Sequence, residues 1–336
     1  MIDRTMAQSV LLSALAQGGE FAEIFLEERT ATTLRLDDGK IEELVTGVEQ
    51  GVGLRVVEGD HTYFASGNRL DQESLLQLAG EVAAGLGSER RIKSLTFLER
   101  SLPLHSPIRI PPDMVEIERK VELLRRADAA ARGYDERIFQ VTVLYRDLVR
   151  EAWVANSEGL FDSDLRTHSV LYEIAVGKEG ELIQTGMKAV AETTGFELFE
   201  EETPEAIAEE AARRAIVQLE AHPAPAGTFT VVLSSEAGGT MIHEACGHGL
   251  EGDFVKRGLS VYAGKLGQKV ASELITIIDD GTLPHKRGTA KMDDEGHPTQ
   301  RVVLIEDGIL KGYLHSRKSA LETGLPCTGN GRRASF

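Results

Sequence analysis

Val170-Leu171-Tyr172-Glu173-Ile174-Ala175-Val176 decides the class of fold. Val170, Tyr172, Ile174 and Val176 are apolar at every second position, the period of a strand that buries one face. Val141, Val143 and Tyr145 repeat the pattern upstream, followed by Ala152 and Val154. Asn156-Ser157-Glu158-Gly159 has the composition of a turn between the two runs. The whole stretch from Ile138 to Phe199 therefore reads as a β-meander.

The period changes on either side. Met6, Val10, Leu11, Ala14 and Leu15 recur at helical spacing until Gly18-Gly19 stops them. Phe21, Ile24 and Leu26 read as one extended segment and Leu34 and Leu36 as a second. Asp38-Gly39 is a hairpin turn into Ile41 to Val45. Val52 to Val57 then pairs with Thr62 to Ala65 across Glu58-Gly59-Asp60. Asp71 caps a helix through Leu75, Leu78, Val82 and Leu86. After a proline-punctuated stretch, Pro112-Asp113 opens a charged helix to about Arg132, and Thr203-Pro204 opens another that ends before His222-Pro223. Phe229 to Leu233 reads as a buried strand leading into a helix near Ser234 or Ser235. Further on, Ile275 to Ile278 reads as a strand, and Val302 to Ile305 and Ile309 to Leu314 as a hairpin across Asp307-Gly308. The expected class is α+β. It comprises an N-terminal helix and sheet domain (1–100), a middle region of helices and β-meander (101–225) and a β-rich C-terminal domain (226–336).

Composition narrows the partners. The chain has 336 residues, 41% of them apolar and 27% charged, as in ordinary globular proteins. A net charge of −17 argues against nucleic acid and against anionic membrane surfaces. Two cysteines, Cys246 and Cys327, make no disulfide framework, so a reducing compartment and a cytoplasmic location are expected. No run approaches a transmembrane helix in length.

The chemistry is concentrated in Met241-Ile242-His243-Glu244-Ala245-Cys246-Gly247-His248-Gly249-Leu250. Two imidazoles hold a zinc ion well, and a carboxylate beside them takes a proton from water, which together make a hydrolase site. Zinc proteases commonly place these histidines four apart on one helical face. Here they are five apart, roughly 140° around an ideal α-helix. One metal requires the nitrogens to sit a few ångströms from each other. The backbone must therefore depart from the α-helix, either as a single-turn π-bulge or by ending the helix near Gly247 and Gly249. Both routes give Gly247 a reason to be glycine. His243 and His248 are the expected metal ligands and Glu244 the catalytic base. His285, His297, His315 and Cys327 are candidates for a third ligand, and none is singled out. Cys246 reads as a packed thiol. Glu251 and Asp253 are placed either to orient an imidazole or to face water, and Arg332-Arg333 either to hold a carboxylate or to face water.

From Val232 onward the chain resembles the TldD branch of the TldD/PmbA metalloprotease family. The resemblance is carried by His243 to Phe254, Val270 to Leu274, Asp279 to Thr282, Asp293 to Gly296, Leu304 to Tyr313 and Thr328 to Arg333. Gly51 to Val56 and Ala155 to Leu160 match it more weakly. The resemblance implies a zinc metallopeptidase acting on small or unfolded peptides. It places zinc on His243 and His248 and the general base on Glu244, and it implies a PmbA/TldE-like paralogue as heteromeric partner. The family's third zinc ligand is a cysteine well beyond the arginine pair. No residue here takes that place, so the chain is expected to be truncated in its C-terminal domain. A zinc hydrolase of non-peptide amides, and a non-catalytic subunit of such a complex, are the alternative readings.

Overall fold

The computed structural model describes residues 2–87, 92 and 94–336. Its centre is a six-stranded antiparallel sheet in the order β3-β2-β1-β4-β5-β6. The strands are β1 (Phe21–Asp37), β2 (Lys40–Glu58), β3 (His61–Gly67), β4 (Ile138–Asn156), β5 (Phe161–Glu179) and β6 (Leu182–Glu192). The two extended segments expected within 21–36 are one continuous strand, because β1 stays paired from Phe21 to Asp37 with β2. Asp38 and Gly39 both take positive φ, at 47° and 75°, as a tight hairpin turn requires. On its other side β1 pairs with β4. The first two regions read from the sequence therefore share one sheet.

Alternation along β1 gives the sheet two different faces. Ala22, Ile24 and Leu26 point to one side with Leu34 and Leu36, and all are buried. Helices cover this side. They are α1 (Arg4–Ala14) and α2 (Gln72–Ala83) at one end, and α3 (Ile117–Tyr134), the single turn α4 (Leu198–Glu201) and α5 (Pro204–Leu219) at the other. Asp3, Asp71 and Thr203 cap α1, α2 and α5 by accepting backbone N–H bonds from Met6, Ser74 and Ala206. Pro112 opens only a short 3-10 turn, and the long helix α3 starts at Ile117.

The phase of β5 is the reverse of the one read from Val170, Tyr172, Ile174 and Val176. Leu171, Glu173 and Ala175 are fully buried under the helices, and the other four are half-buried on the opposite side. Glu173 hides the true core face, because a charged residue type marks its position as solvent-facing.

The other face carries charge. Glu23, Glu27, Arg55, Arg150, Asp164, Arg166 and His168 lie on it, with Phe25, Ala152 and Val154 between them. The C-terminal region covers this face. Met292 packs with Phe25, Ala152 and Val154. Asp294 accepts hydrogen bonds from Arg166 Nη1 at 2.8 Å and from the Arg333 backbone N–H at 2.9 Å. Such buried charges tolerate burial because they are paired on several sides.

The C-terminal region holds α6 (Ser235–Ile242), α7 (Gly252–Lys256) and α8 (Arg317–Thr323), with a small sheet of β7 (Ile277–Asp280), β8 (Arg301–Glu306) and β9 (Ile309–Leu310). Helix α8 has no counterpart in the sequence reading, although Ser316 caps it and Gly324 ends it in the left-handed conformation. Phe229 to Leu233 is a correction. It forms no strand, and Val232 is 98% exposed. An apolar run becomes a strand only where a neighbouring backbone takes its hydrogen bonds, and no described segment does so here. Among the described residues no helix is long and apolar enough to cross a membrane.

Candidate metal centre

Helix α6 runs directly into the motif. Its regular turns end at Ile242, and His243–Gly247 forms a π-helical turn followed by a 3-10 turn over His248–Leu250. Of the two departures open to the sequence, the structure takes the π-bulge. The wider turn offsets the five-residue spacing and brings the rings together, with centroids 4.6 Å apart and planes at 79°. One ligand atom each from His243, Glu244 and His248 lie within 4.8 Å of one another. All three side chains are exposed.

Gly247 itself plays a smaller part than expected. Its φ of −55° is ordinary helix, and an added Cβ would come no closer than 3.9 Å to the His243 ring. The constrained glycines are the next two. A Cβ on Gly249 would meet the Tyr262 ring at 3.0 Å, and one on Gly252 would lie 2.4 Å from His315 Nδ1.

Glu251 resolves the choice left open for it. Its Oε1 lies 2.7 Å from His248 Nδ1. This carboxylate beside the ring holds the His248 pKa above its ordinary value. With Nδ1 engaged, Nε2 is the nitrogen left for a metal. Two imidazoles with a carboxylate at these separations could hold a metal ion, and imidazole and carboxylate are donor types that zinc takes.

The other candidate ligands lie elsewhere. His315 is buried, with Nδ1 3.2 Å from Ser319 Oγ. Burial holds its pKa below the usual imidazole value. Cys327 Sγ faces the His315 carbonyl at 3.5 Å, and burial pushes its thiol up to about 11. His285 Nδ1 lies 3.4 Å from the Thr193 carbonyl, and the His297 backbone N–H donates to Asp293 Oδ1 at 2.8 Å. None of these joins the group formed by His243, Glu244 and His248. Cys246 packs beside Leu250 and Tyr262, as a small apolar thiol does.

Sequence reasoning missed the bracing behind the motif. Arg333 is no solvated cation. It pairs with Glu23 and lies over the Phe25 ring. Arg55 bridges Glu23 at 3.1 Å and Glu295 at 2.8 Å, and Glu295 also accepts the Arg317 N–H at 2.6 Å. The acidic turn from Asp293 to Glu295 is buried and ties α8 to the central sheet. The only local signal was Gly296, which turns there with a φ of 80°.

Three family models match, described as PmbA/TldA metallopeptidase domain 1 over residues 22–85, central domain over 110–219 and C-terminal domain over 226–336. A metalloprotease TldD homolog of Haemophilus influenzae is 35% identical over 325 residues, covering 94% of this chain and 67% of that protein. A metalloprotease of Methanocaldococcus jannaschii is 35% identical over 328 residues, covering 96% and 71%. The fold matches a Thermotoga maritima protein with a TM-score of 0.80 at 23% identity, covering 94% of this chain and 71% of that one. It matches TldE from Thermococcus kodakarensis with a TM-score of 0.72 at 21% identity, covering 97% and 73%. The mixed helix and sheet architecture, the motif and these matches together place the chain in the PmbA/TldD metallopeptidase family.

Proposed function

We propose that this chain is a zinc-dependent peptidase of small or unfolded peptides, with His243 and His248 as metal ligands and Glu244 as general base. The observation that carries the reading is the π-helical turn that gathers the two rings and the carboxylate. A structural helix has no need of that detour. When bound, zinc supplies Lewis acidity toward a carbonyl and lowers the pKa of water.

The residues supply the rest. Glu251 holds the His248 ring by Nδ1 and keeps Nε2 free. Glu244 Oε2 stands 3.9 Å from that Nε2, near enough to take a proton from a water beside the ring and to hand it to the leaving amine. The side chains of Glu244 and His248 are 67% and 51% exposed, so an extended chain has access that a folded domain does not. The family resemblance supports a PmbA/TldE-like paralogue as partner.

The test is Glu244→Gln. It is expected to keep the fold and bound zinc while hydrolysis of an unfolded peptide falls by about 10²–10⁴-fold. Undiminished hydrolysis in that variant would remove Glu244 from the mechanism.

A further inference from the structure

A cleft of about 780 Å³ opens beside the motif, between α7, α8 and the turn at residues 330–333. Glu251 stands in its wall and holds His248 by its carboxylate. The cleft is therefore the next space that a chain lying over His243, Glu244 and His248 can enter.

Among the described residues, some cations of its lining form no ion pair. Arg55 and Arg333 are committed to Glu23 and Glu295. Among the described residues Arg332 makes no ion pair and donates to the Gly288 carbonyl at 3.3 Å, while the charges of Asp294 and Asp293 act on it from farther off. Arg257, at the end of α7, has no ion pair or hydrogen-bonding side-chain partner among the described residues. Of the four acidic groups in the wall, Glu251 is held by His248, Glu295 by Arg55 and Glu322 lies 4.0 Å from Lys318, while Asp253 has no side-chain partner among the described residues. In a chain of net charge −17, a cleft beside the candidate site that is lined by six cationic side chains and four carboxylates is unusual. Two buried donors of the lining also lack partners, Arg55 Nε and Arg333 Nε. Such atoms cost free energy unless something else meets them.

We propose that this cleft is a subsite for a carboxylate of the peptide substrate, held chiefly by Arg332 and Arg257. The proposal rests on the reading of the motif as a peptidase site. A guanidinium binds a planar carboxylate through two parallel N–H bonds, and a peptide offers that group at its C-terminus or on an acidic side chain. Recognition there favours short peptides with a free end or acidic segments, and leaves the remaining side chains unread.

Three fluorescent hexapeptides test it: one with a free C-terminal carboxylate, one amidated with a single aspartate, and one amidated without acidic residues. Binding is measured by anisotropy on the zinc-loaded Glu244→Gln protein, which separates affinity from turnover. Hydrolysis by the unaltered protein is followed in parallel. At least one carboxylate peptide is expected to bind about tenfold more tightly than the neutral one, and which one does so identifies the source of the group. Arg332→Met should reduce that advantage to about twofold or less, with Arg257→Met giving a partial loss. Equal binding of all three peptides to the unaltered site, or an advantage that survives both substitutions together, overturns the subsite. If the preference is present but no peptide is cleaved, the peptidase reading fails and the subsite stands. If all are cleaved and bound alike, the reverse holds.

Discussion

His248 and Glu251 are joined through Nδ1 and Oε1 at 2.7 Å, and this contact decides which imidazole nitrogen is left for a metal. Glu251 also begins the segment that Gly252 pins to Leu314, through an N–H bond of 2.7 Å. The orientation of one ligand is thus set by the packing of the chain that follows it. Removing such a partner commonly costs metal affinity by about 10–100-fold. Glu251→Ala is expected to weaken zinc binding by that factor, measured by competition with a chelator, while Glu251→Gln loses less. Equal zinc affinity in all three proteins would show that the contact does not orient the ring.

The glycines of the motif should differ sharply on substitution. Gly247→Ala places a methyl in ordinary contact, 3.9 Å from the nearest ring atom, so its stability should change by no more than about 0.5 kcal/mol. Gly252→Ala drives a methyl to 2.4 Å from His315 Nδ1 and 2.9 Å from Ser319 Oγ. Overpacking of that kind costs about 1–3 kcal/mol. Because Glu251 precedes the displaced residue, zinc affinity should fall as well. Denaturant midpoints and chelator competition on the two variants check both halves.

Under the helices, Lys120 Nζ meets Asp147 Oδ2 at 2.5 Å, and Tyr145 donates to the same oxygen at 2.6 Å. Lys120 is 2% exposed and Asp147 4%. Asp147→Ala strands a buried ammonium and should cost about 3–5 kcal/mol. Replacing Lys120 by Met in the same chain should recover a large part of that loss. A double variant no more stable than Asp147→Ala alone would contradict this account of the pair.

Glu173 gives the fold a pH dependence of definite sign. Burial, with no partner for either carboxylate oxygen, pushes its pKa up to about 8 from an ordinary 4.5. The folded chain keeps a proton there that the unfolded chain releases. Stability is therefore lost as pH rises from about 4.5 to about 8, and the loss levels off above that. Glu173→Gln should flatten this limb and raise stability at pH 8 by a few kcal/mol. Unfolding curves at pH 5, 6.5 and 8 test it, and an unchanged pH slope in the variant would rule the assignment out.

The same residue shows where the sequence was legible and where it was not. Hairpin turns at Asp38-Gly39 and Asp307-Gly308, the cap of α2 and the start of α5 follow from local chemistry, and each is present, while the spacing of His243 and His248 demanded a departure from the α-helix without choosing the π-bulge. The face of β5 did not follow, because Glu173 sits in the core where its residue type signals solvent. Phe229 to Leu233 failed for the opposite reason, since apolar composition announces burial without naming what covers it. The network of Glu23, Arg55, Glu295 and Arg333 joins residues far apart in the chain, so no spacing rule could reveal it.

On the proposed reading, the π-helical turn at His243–Gly247 builds a zinc site. Zinc titrated into the metal-free chain, followed by calorimetry beside the His243→Ala and His248→Ala variants, addresses it most directly. The unaltered chain is expected to hold one zinc ion at a site that either substitution abolishes or weakens at least about 100-fold, without loss of the folded far-ultraviolet signal. Zinc held equally well by both variants would contradict it.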